Sequence, residues 1–143
     1  MRQGISILLS ILLVFAAVSG TAEENGEVQN WMDLGDAAFD QEDYETSLQY
    51  YLLAADRGDP LAQCKAAWQY VTGFGTEIST DMAYEYYGRA AEQEDPDGLE
   101  CLGYLYLEGL GVEQSMEKAM ELYKRAAELG SEEAQRQLAI YGN

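Results

Sequence analysis

One spacing dominates this sequence. The pair Ala-Ala recurs every 36 residues, at Ala54-Ala55, Ala90-Ala91 and Ala126-Ala127. A fixed period of this size is typical of stacked helical repeats, in which each unit buries its apolar face on the next. The sequence therefore predicts an array of similar units rather than a single amphipathic bundle without repeats.

Other residues return at the same spacing. Tyrosine precedes each alanine pair by three residues, and small residues recur upstream of the second and third pairs. These positions are Tyr51, Tyr87 and Tyr123, then Ala67 and Gly103, Gly73 and Gly109, and Gly75 and Gly111. Small residues let two helices approach closely, and an aromatic side chain one turn away fills the remaining space, because protein interiors are densely packed.

Each unit contains the pattern of two helices, here called A and B. In the third unit, Leu99, Leu102 and Tyr106 fall on one stripe and predict helix A over residues 96–108. Gly109 ends this helix by supplying a positive φ, and Ser115 is the expected N-cap of helix B. In the second unit, Thr80 or the next residue is the expected cap.

The two ends of the array differ from its middle. In the first unit the turn between helices is four residues shorter and is polar, at residues 40–43. Residues 131–141 are predicted to form a lone, polar helix A that caps the array. No alternation typical of strands is present. We therefore predict an all-α fold of about three helix-pair repeats plus a C-terminal capping helix, over residues 31–141.

The third unit resembles a known family. The residues that carry the resemblance are Leu102-Gly103, Tyr106, Gly109-x-Gly111, Ala119, Tyr123, Ala126-Ala127 and Gly130. They resemble the Sel-one-like repeat, the longer-looped relative of the tetratricopeptide repeat. The second unit departs from it, with Ala66-Ala67 for Leu-Gly and Glu94 for the closing glycine, and the first is closer to a plain tetratricopeptide unit. The resemblance implies a short right-handed α-α solenoid.

The resemblance also implies an adaptor that holds a protein or peptide in a concave groove lined by the A helices. Carried over by alignment at Gly35, Ala67 and Gly103, the implied groove residues are Asp36, Lys65, Trp68, Glu100, Tyr104 and Glu108. An aromatic pair flanked by carboxylates can stack an apolar side chain and pair with a basic one. Alternatively, the two aromatic residues only cover the core of a short array.

The N-terminus has the pattern of a secretory signal peptide. Arg2 precedes an apolar run over residues 5–18, and small residues at positions 20–22 come before Glu23. We predict a signal peptide over residues 1–22 with cleavage after Ala22, and a secreted or periplasmic protein. The run is short for a membrane-spanning helix, although an uncleaved anchor is the alternative. Residues 23–30 are acidic and are predicted to be a flexible lead-in.

The charge limits the partners. The chain has 26 acidic and 8 basic residues and a formal net charge of −18. Nucleic acid and anionic membranes are therefore poor partners, because binding phosphate needs lysine and arginine. A protein or peptide with a basic segment would be attracted. Alternatively, the acidity serves solubility alone.

The two cysteines, Cys64 and Cys101, fall early in the A helices of successive units. In an oxidising compartment a disulfide between them is a candidate, and two separate buried thiols are the alternative. Helices whose axes lie about 8–10 Å apart can hold the Cα atoms too far apart for a bond.

No cofactor, metal site or catalytic residue is predicted. The chain has no histidine, which removes the commonest general base and the imidazole metal ligand. Ser115 and Lys118 fit the Ser-x-x-Lys pattern of enzymes that attack β-lactams, but the partner motifs are missing and Ser115 is better explained as a helix cap. An enzyme acting on cell-wall or β-lactam-like substrates and a self-associating structural repeat protein remain the alternatives to a binding module.

Overall fold

A computed structural model describes residues 22–142 of the protein. Within them the chain forms seven helices and no strand. The helices are α1 (residues 22–40), α2 (Tyr44–Asp56), α3 (Pro60–Thr72), α4 (Thr80–Glu92), α5 (Pro96–Glu108), α6 (Met116–Glu128) and α7 (Glu132–Tyr141). The odd-numbered helices are the A helices, and α2, α4 and α6 are the B helices. The predicted all-α array of three pairs and a final helix is confirmed.

Contacts between neighbouring helices build the array. From α2 onwards each helix packs on the next, and the A helices α3 and α5 also touch each other. The A-to-B connection spans residues 73–79 and 109–115 in the second and third pairs but only residues 41–43 in the first. The shorter first connection is therefore a real difference between the units.

The helix ends repeat along with the sequence. Asp59 and Asp95 cap the A helices α3 and α5, each followed by a proline in the first turn. Ser115 caps α6 as predicted, accepting a hydrogen bond from the backbone N–H of Lys118 at 3.3 Å. In the second pair the predicted cap at residue 80 or 81 is wrong, because Ser79 is the cap and accepts from the backbone N–H of Met82 at 3.3 Å.

Small residues on the A helices face tyrosine rings on the B helices. A Cβ atom added to Gly35 would lie 2.6 Å from Cε1 of Tyr51, and one added to Gly103 would lie 3.1 Å from Cε1 of Tyr123. The predicted close approach of helices at these positions is present. The three tyrosines at this repeat position and most of the paired alanines are buried in one continuous core.

The loop glycines make a second close approach, between units. Gly75 and Gly111 both have positive φ, and a side chain on either would overlap backbone. Gly75 abuts the backbone at Tyr44, where α2 begins, and Gly111 abuts Thr80, where α4 begins. Each Gly-x-Gly loop therefore rests on the first turn of the preceding B helix and helps to set the stacking of successive units.

The predicted flexible lead-in at residues 23–30 is wrong. These residues form the first part of α1 and are helical throughout. Val28 packs against the edge of the core, and the Glu27 carboxylate lies 3.6 Å from Arg57 at the end of α2. One apolar contact and one ion pair thus tie an otherwise exposed and acidic segment to the array.

The predicted signal peptide lies outside the described residues, except for Ala22 at its end. Within residues 22–142, none of the helices combines the length and apolar character needed to cross a membrane.

Candidate binding groove

Two hollows lie side by side between the A helices. The first hollow has a volume of about 510 Å³, and its lining residues are Phe39, Tyr51, Cys64, Lys65, Trp68, Gln69, Tyr87, Asp97, Glu100 and Cys101. The second hollow has a volume of about 390 Å³, and its lining residues are Trp68, Val71, Tyr87, Glu100, Cys101, Tyr104, Leu105, Tyr123, Glu133 and Gln137. Because the two hollows share four lining residues, they form one continuous groove.

The hollows occupy equivalent places in successive repeats. Many residues that line the first hollow have a counterpart 36 positions later in the sequence that lines the second. The matched pairs are Tyr51 and Tyr87, Lys65 and Cys101, Trp68 and Tyr104, Gln69 and Leu105, and Asp97 and Glu133, while Tyr87 is matched by Tyr123. The repeat therefore places two subsites at equivalent positions of successive units, with different side chains at most of the matched positions.

Four of the six predicted groove residues line the hollows. They are Lys65, Trp68, Glu100 and Tyr104. Asp36 lies beside the first hollow and binds two groups there, whereas Glu108 is exposed at the end of α5 and lines neither hollow. That these residues bind a partner stays a prediction.

Sequence reasoning missed the tyrosine floor. The sequence predicts that the B-helix tyrosines are packing residues, and Tyr51, Tyr87 and Tyr123 are indeed buried, but each also lines a hollow. The signal was present in the sequence, since these tyrosines face the small A-helix residues around which the groove was aligned. Phe39, Gln69 and Asp97 also line the groove and were missed.

A polar network joins the first and second units at the edge of the first hollow. Asp36 Oδ1 accepts hydrogen bonds from the Tyr51 hydroxyl at 2.6 Å and from Lys65 Nζ at 2.8 Å. The Lys65 ammonium also lies over the Tyr51 ring, 5.2 Å from its centre. Partial burial alone would raise the pKa of Asp36, but the two hydrogen bonds and the lysine charge outweigh it and hold that pKa below its usual value. Lys65 therefore remains charged and is paired with a carboxylate of the fold.

Gln69 is the polar residue at the bottom of the first hollow. It is fully buried, and its Nε2 donates to the carbonyl oxygens of Tyr44 at 2.9 Å and Phe74 at 3.0 Å. Its Oε1 has no hydrogen-bond partner within the described residues. An unmet buried acceptor costs about 1–3 kcal/mol, so Gln69 retains an unused capacity to accept a hydrogen bond.

Carboxylates flank both hollows. Asp97 is exposed and Glu100 is half-buried, with its Oε2 accepting from the Ser131 hydroxyl at 2.5 Å. In the second hollow, Glu133 accepts from Gln137 at 2.6 Å and pairs with Arg136. Of the residues that line the first hollow, Lys65 is the one base, and it is paired with Asp36. Within residues 22–142, the groove included, no group of three side chains that could hold a metal ion is found.

Two exposed aromatic residues project at the groove. Trp68 is 40% exposed and Tyr104 is 48% exposed. Trp68 also belongs to an aromatic cluster, with ring centres 5.8 Å from Phe39 and 5.3 Å from Phe74. The cluster fixes the orientation of the indole ring while leaving a large part of it in contact with solvent.

Both cysteines line the groove: Cys101 lines both hollows, and Cys64 lines the first. Both are free thiols in the structure, and the Cys64 thiol donates to Asp95 Oδ1 at 3.6 Å. Burial, followed by the nearby carboxylates, raises the pKa of Cys64, and burial raises the pKa of Cys101 to about 11. The disulfide between them stays a prediction. Such thiols are poor nucleophiles at neutral pH, because little thiolate is present.

Comparison with known proteins identifies similar repeats. The Sel1 repeat family model matches residues 35–59, 60–95 and 102–131. A solved Sel1 repeat protein from Oxalobacter formigenes is 32% identical, with a TM-score of 0.66 over 68% of this chain and 28% of that one. A protective antigen of uropathogenic Escherichia coli strains that displays an SLR fold is 30% identical, with a TM-score of 0.75 over 82% of this chain and 26% of that one.

Helicobacter pylori cysteine rich protein B is 22% identical, with a TM-score of 0.63 over 81% of this chain and 95% of that one, and this likeness shows the fold alone. A comparison with curated proteins finds no match. The chain spans about a quarter of the length of the Oxalobacter and Escherichia proteins.

Proposed function

The chain belongs to the Sel1 repeat family, and we propose on this basis that it is an exported adaptor module that binds a protein or peptide in its groove and catalyses no reaction. The observation that carries the proposal is the pair of repeat-equivalent hollows that merge into one groove. A groove that continues across repeats suits an extended segment of a partner, because each repeat can contact successive side chains of that segment.

The exposed aromatic residues support a binding role. Interface energy is concentrated in a few residues, with tryptophan and tyrosine enriched among them. Trp68 and Tyr104 are large, partly exposed and flanked by carboxylates, and the Phe39 and Phe74 rings hold Trp68 in place. A partner that covers them gains apolar burial without first having to order the indole ring.

The role of Ser115 supports a module without catalysis. Its hydroxyl caps α6 and accepts the backbone N–H of Lys118, while the Lys118 ammonium lies over the Tyr106 ring, 5.2 Å from its centre. Both side chains of the Ser-x-x-Lys pattern thus have structural contacts. Neither residue lines the groove.

Export is proposed from the N-terminal pattern of Arg2, the apolar run and the small residues before Glu23. Sequencing the N-terminus of protein recovered from the exported fraction tests it. A mature chain that begins at Glu23 is expected, and protein that is found only inside the cell with Met1 or Arg2 at its start would contradict export.

Affinity capture from the exported fraction, followed by titration of the recovered partner, tests the binding role. We expect Trp68→Ala to weaken the affinity by about 30-fold or more, as hot-spot truncations do. Glu100→Lys should also weaken it, whereas Glu108→Lys is the matched control that reverses a charge outside both hollows. Ile78→Ala is the control for an exposed apolar side chain away from the groove. Unchanged affinity in both groove variants would contradict the proposed site.

A further inference from the structure

A further hollow lies where the B helices α4 and α6 pass over α5, and it differs from the groove in every residue that lines it. We propose that this hollow, here called the B-helix hollow, binds an aliphatic side chain of a protein partner together with a basic group next to that side chain. Its volume is about 480 Å³. The proposal adds a second binding surface to the chain and does not depend on what the groove binds.

The B-helix hollow contains a glycine in the interior of a helix. Gly88 lies within α4, where glycine stabilises a helix less than alanine does, because glycine loses more backbone freedom on folding. A Cβ atom added to Gly88 would meet no atom within 4 Å outside the backbone of its own helix. Close packing therefore does not require glycine here, in contrast to Gly35 and Gly103, where an added Cβ would press on a tyrosine ring. The fold gives up helix stability at Gly88 and leaves an opening in its place.

The first repeat shows which kind of group fits this opening. Leu52 holds the position equivalent to Gly88, 36 residues earlier, and its side chain packs against the core. At Gly88 no such side chain is present, and the apolar lining is formed largely by leucines, namely Leu99, Leu102 and Leu122. An aliphatic side chain from a partner can therefore take the position that Leu52 has in the first repeat, and it gains apolar burial by doing so.

The charges at the B-helix hollow favour a basic neighbour for this side chain. Arg89 donates to Glu85 at 2.6 Å and to Asp56 at 3.4 Å, so its charge is compensated within the fold. Glu92 lies one turn after Gly88 and lines the hollow, and within residues 22–142 no lysine or arginine pairs with it. A cation beside the aliphatic side chain would find this unpaired carboxylate.

The net charge of the chain selects among protein partners. At −18, two copies of this chain repel each other, whereas a basic protein is attracted. The occupant is therefore a basic segment of another protein that presents an aliphatic side chain next to lysine or arginine, and not a second copy of this chain.

Short peptides test the assignment directly. The probe is acetyl-Lys-Leu-Lys-amide, which carries a leucine between two cations, and it is titrated into the isotope-labelled full chain at low salt. We expect NMR amide shifts at Gly88, Glu92 and Leu122. The affinity should be about tenfold higher than for the same peptide with alanine in place of leucine. Replacing both lysines of the peptide by glutamine should weaken binding by about threefold.

Variants assign this binding to the B-helix hollow. Gly88→Leu gives the second repeat the residue of the first and should weaken binding of the leucine peptide by about tenfold or more. Gly26→Leu is the matched control, because Gly26 is also a helical glycine with open space around it and lies outside the hollow. Glu92→Gln should remove the preference for the lysine peptide over the glutamine peptide, whereas Glu108→Gln should keep it.

Thermal unfolding tests whether the fold itself needs glycine at this position. Gly88→Ala should raise the Tm by about 3–5 °C, because alanine favours the helix and its methyl group has room. A fall in Tm would show that packing requires Gly88 and would overturn the inference. If Gly88→Leu fails to fold by circular dichroism, Gly88→Ala decides the binding test, since it fills part of the opening and should weaken the leucine peptide by about threefold.

Three other outcomes would overturn the inference. The first is equal affinity for the leucine and alanine peptides, and the second is binding that the Gly88 variants leave unchanged. The third is the absence of shifts at the B-helix hollow at about 10 mM peptide. Shifts confined to residues such as Trp68 and Tyr104 belong to this third outcome, and they would place the peptide in the groove, so the proposed groove would stand while the second surface would not.

Discussion

The two hollows of the groove are lined by residues at equivalent repeat positions, but several of those residues differ in type. Each has a B-helix tyrosine at its floor, an exposed aromatic residue on the A helix and a carboxylate 36 residues from its counterpart. The first adds a buried amide and a lysine bound to a carboxylate, whereas the second has Leu105 and Val71. The comparison shows that the repeated residues build the shape, and that departures from the repeat give each subsite its character.

The largest effect is expected from exchanging the buried A-helix residues that line the two hollows at equivalent positions, Gln69 in the first and Leu105 in the second. Leu105→Gln should lower the free energy of unfolding by about 2–4 kcal/mol, because it buries an amide where no partner has been arranged and removes apolar packing. Chemical denaturation measures the change. Gln69→Leu is the matched exchange and should lower the free energy of unfolding by only about 1–2 kcal/mol, since it takes the donor away from the carbonyl oxygens of Tyr44 and Phe74 but also removes an unpaired buried oxygen.

An equal loss in the two exchanges would contradict this reading of the comparison. It would mean that Gln69 is retained for its bonds to the backbone of Tyr44 and Phe74, which join α2 to the loop after α3.

The next effect concerns the contacts between A-helix glycines and the buried tyrosines Tyr51 and Tyr123. Gly35→Ala should destabilise the protein by about 1–2 kcal/mol, because its Cβ would lie 2.6 Å from the Tyr51 ring and the clash exceeds the gain in helix propensity. Gly103→Ala should stay within about 0.5 kcal/mol, since its Cβ would lie 3.1 Å from Tyr123 and the second unit already has Ala67 at this position. Thermal unfolding compares the two variants, and a greater loss for Gly103→Ala would show that the first floor is the looser one.

A smaller effect tests the polar network that distinguishes the first floor. Tyr51→Phe removes the hydroxyl that donates to Asp36 at 2.6 Å and should cost about 0.5–1 kcal/mol. The Tyr123 hydroxyl makes no comparable hydrogen bond within the described residues, so Tyr123→Phe should lower the free energy of unfolding by less. Denaturation curves of the two variants give the difference, and a larger cost at Tyr123 would remove this distinction between the hollows.

The smallest effect is the pH dependence of the same network. The pKa of Asp36 is lowered in the folded protein by hydrogen bonds from Lys65 and Tyr51, which outweigh the effect of burial. Its contribution to stability is therefore fully present above the unfolded value of about 4 and is lost as the pH falls through the lower folded value. NMR titration of the Asp36 carboxyl measures the shift. Lys65→Met should return the pKa toward its ordinary value, and an unchanged midpoint would contradict the role of the lysine.

Much of the architecture could be predicted from the sequence, because close packing acts on residues at fixed spacing. The 36-residue period placed small residues opposite tyrosines, and Gly35 with Tyr51 and Gly103 with Tyr123 meet as expected. The helix over residues 96–108 and the cap at Ser115 followed from local patterns that need no distant partner. The helix over residues 23–30 did not follow, since the contacts of Val28 and Glu27 with the rest of the array leave no pattern in an acidic segment.

The groove, too, was predicted in part from the sequence and in part only from the structure. The resemblance to the repeat family, carried over by alignment, implied that Lys65, Trp68 and Tyr104 line the groove together with Glu100, and all four do. It also implied Glu108, which lies at the last position of α5 and lines neither hollow. Only the tertiary structure decided three other features: the unpaired oxygen of Gln69, the pairing of Lys65 with Asp36, and the joining of two hollows into one groove. Each depends on which groups from other helices come within a few ångströms, and the spacing of residues along one helix carries no record of those neighbours.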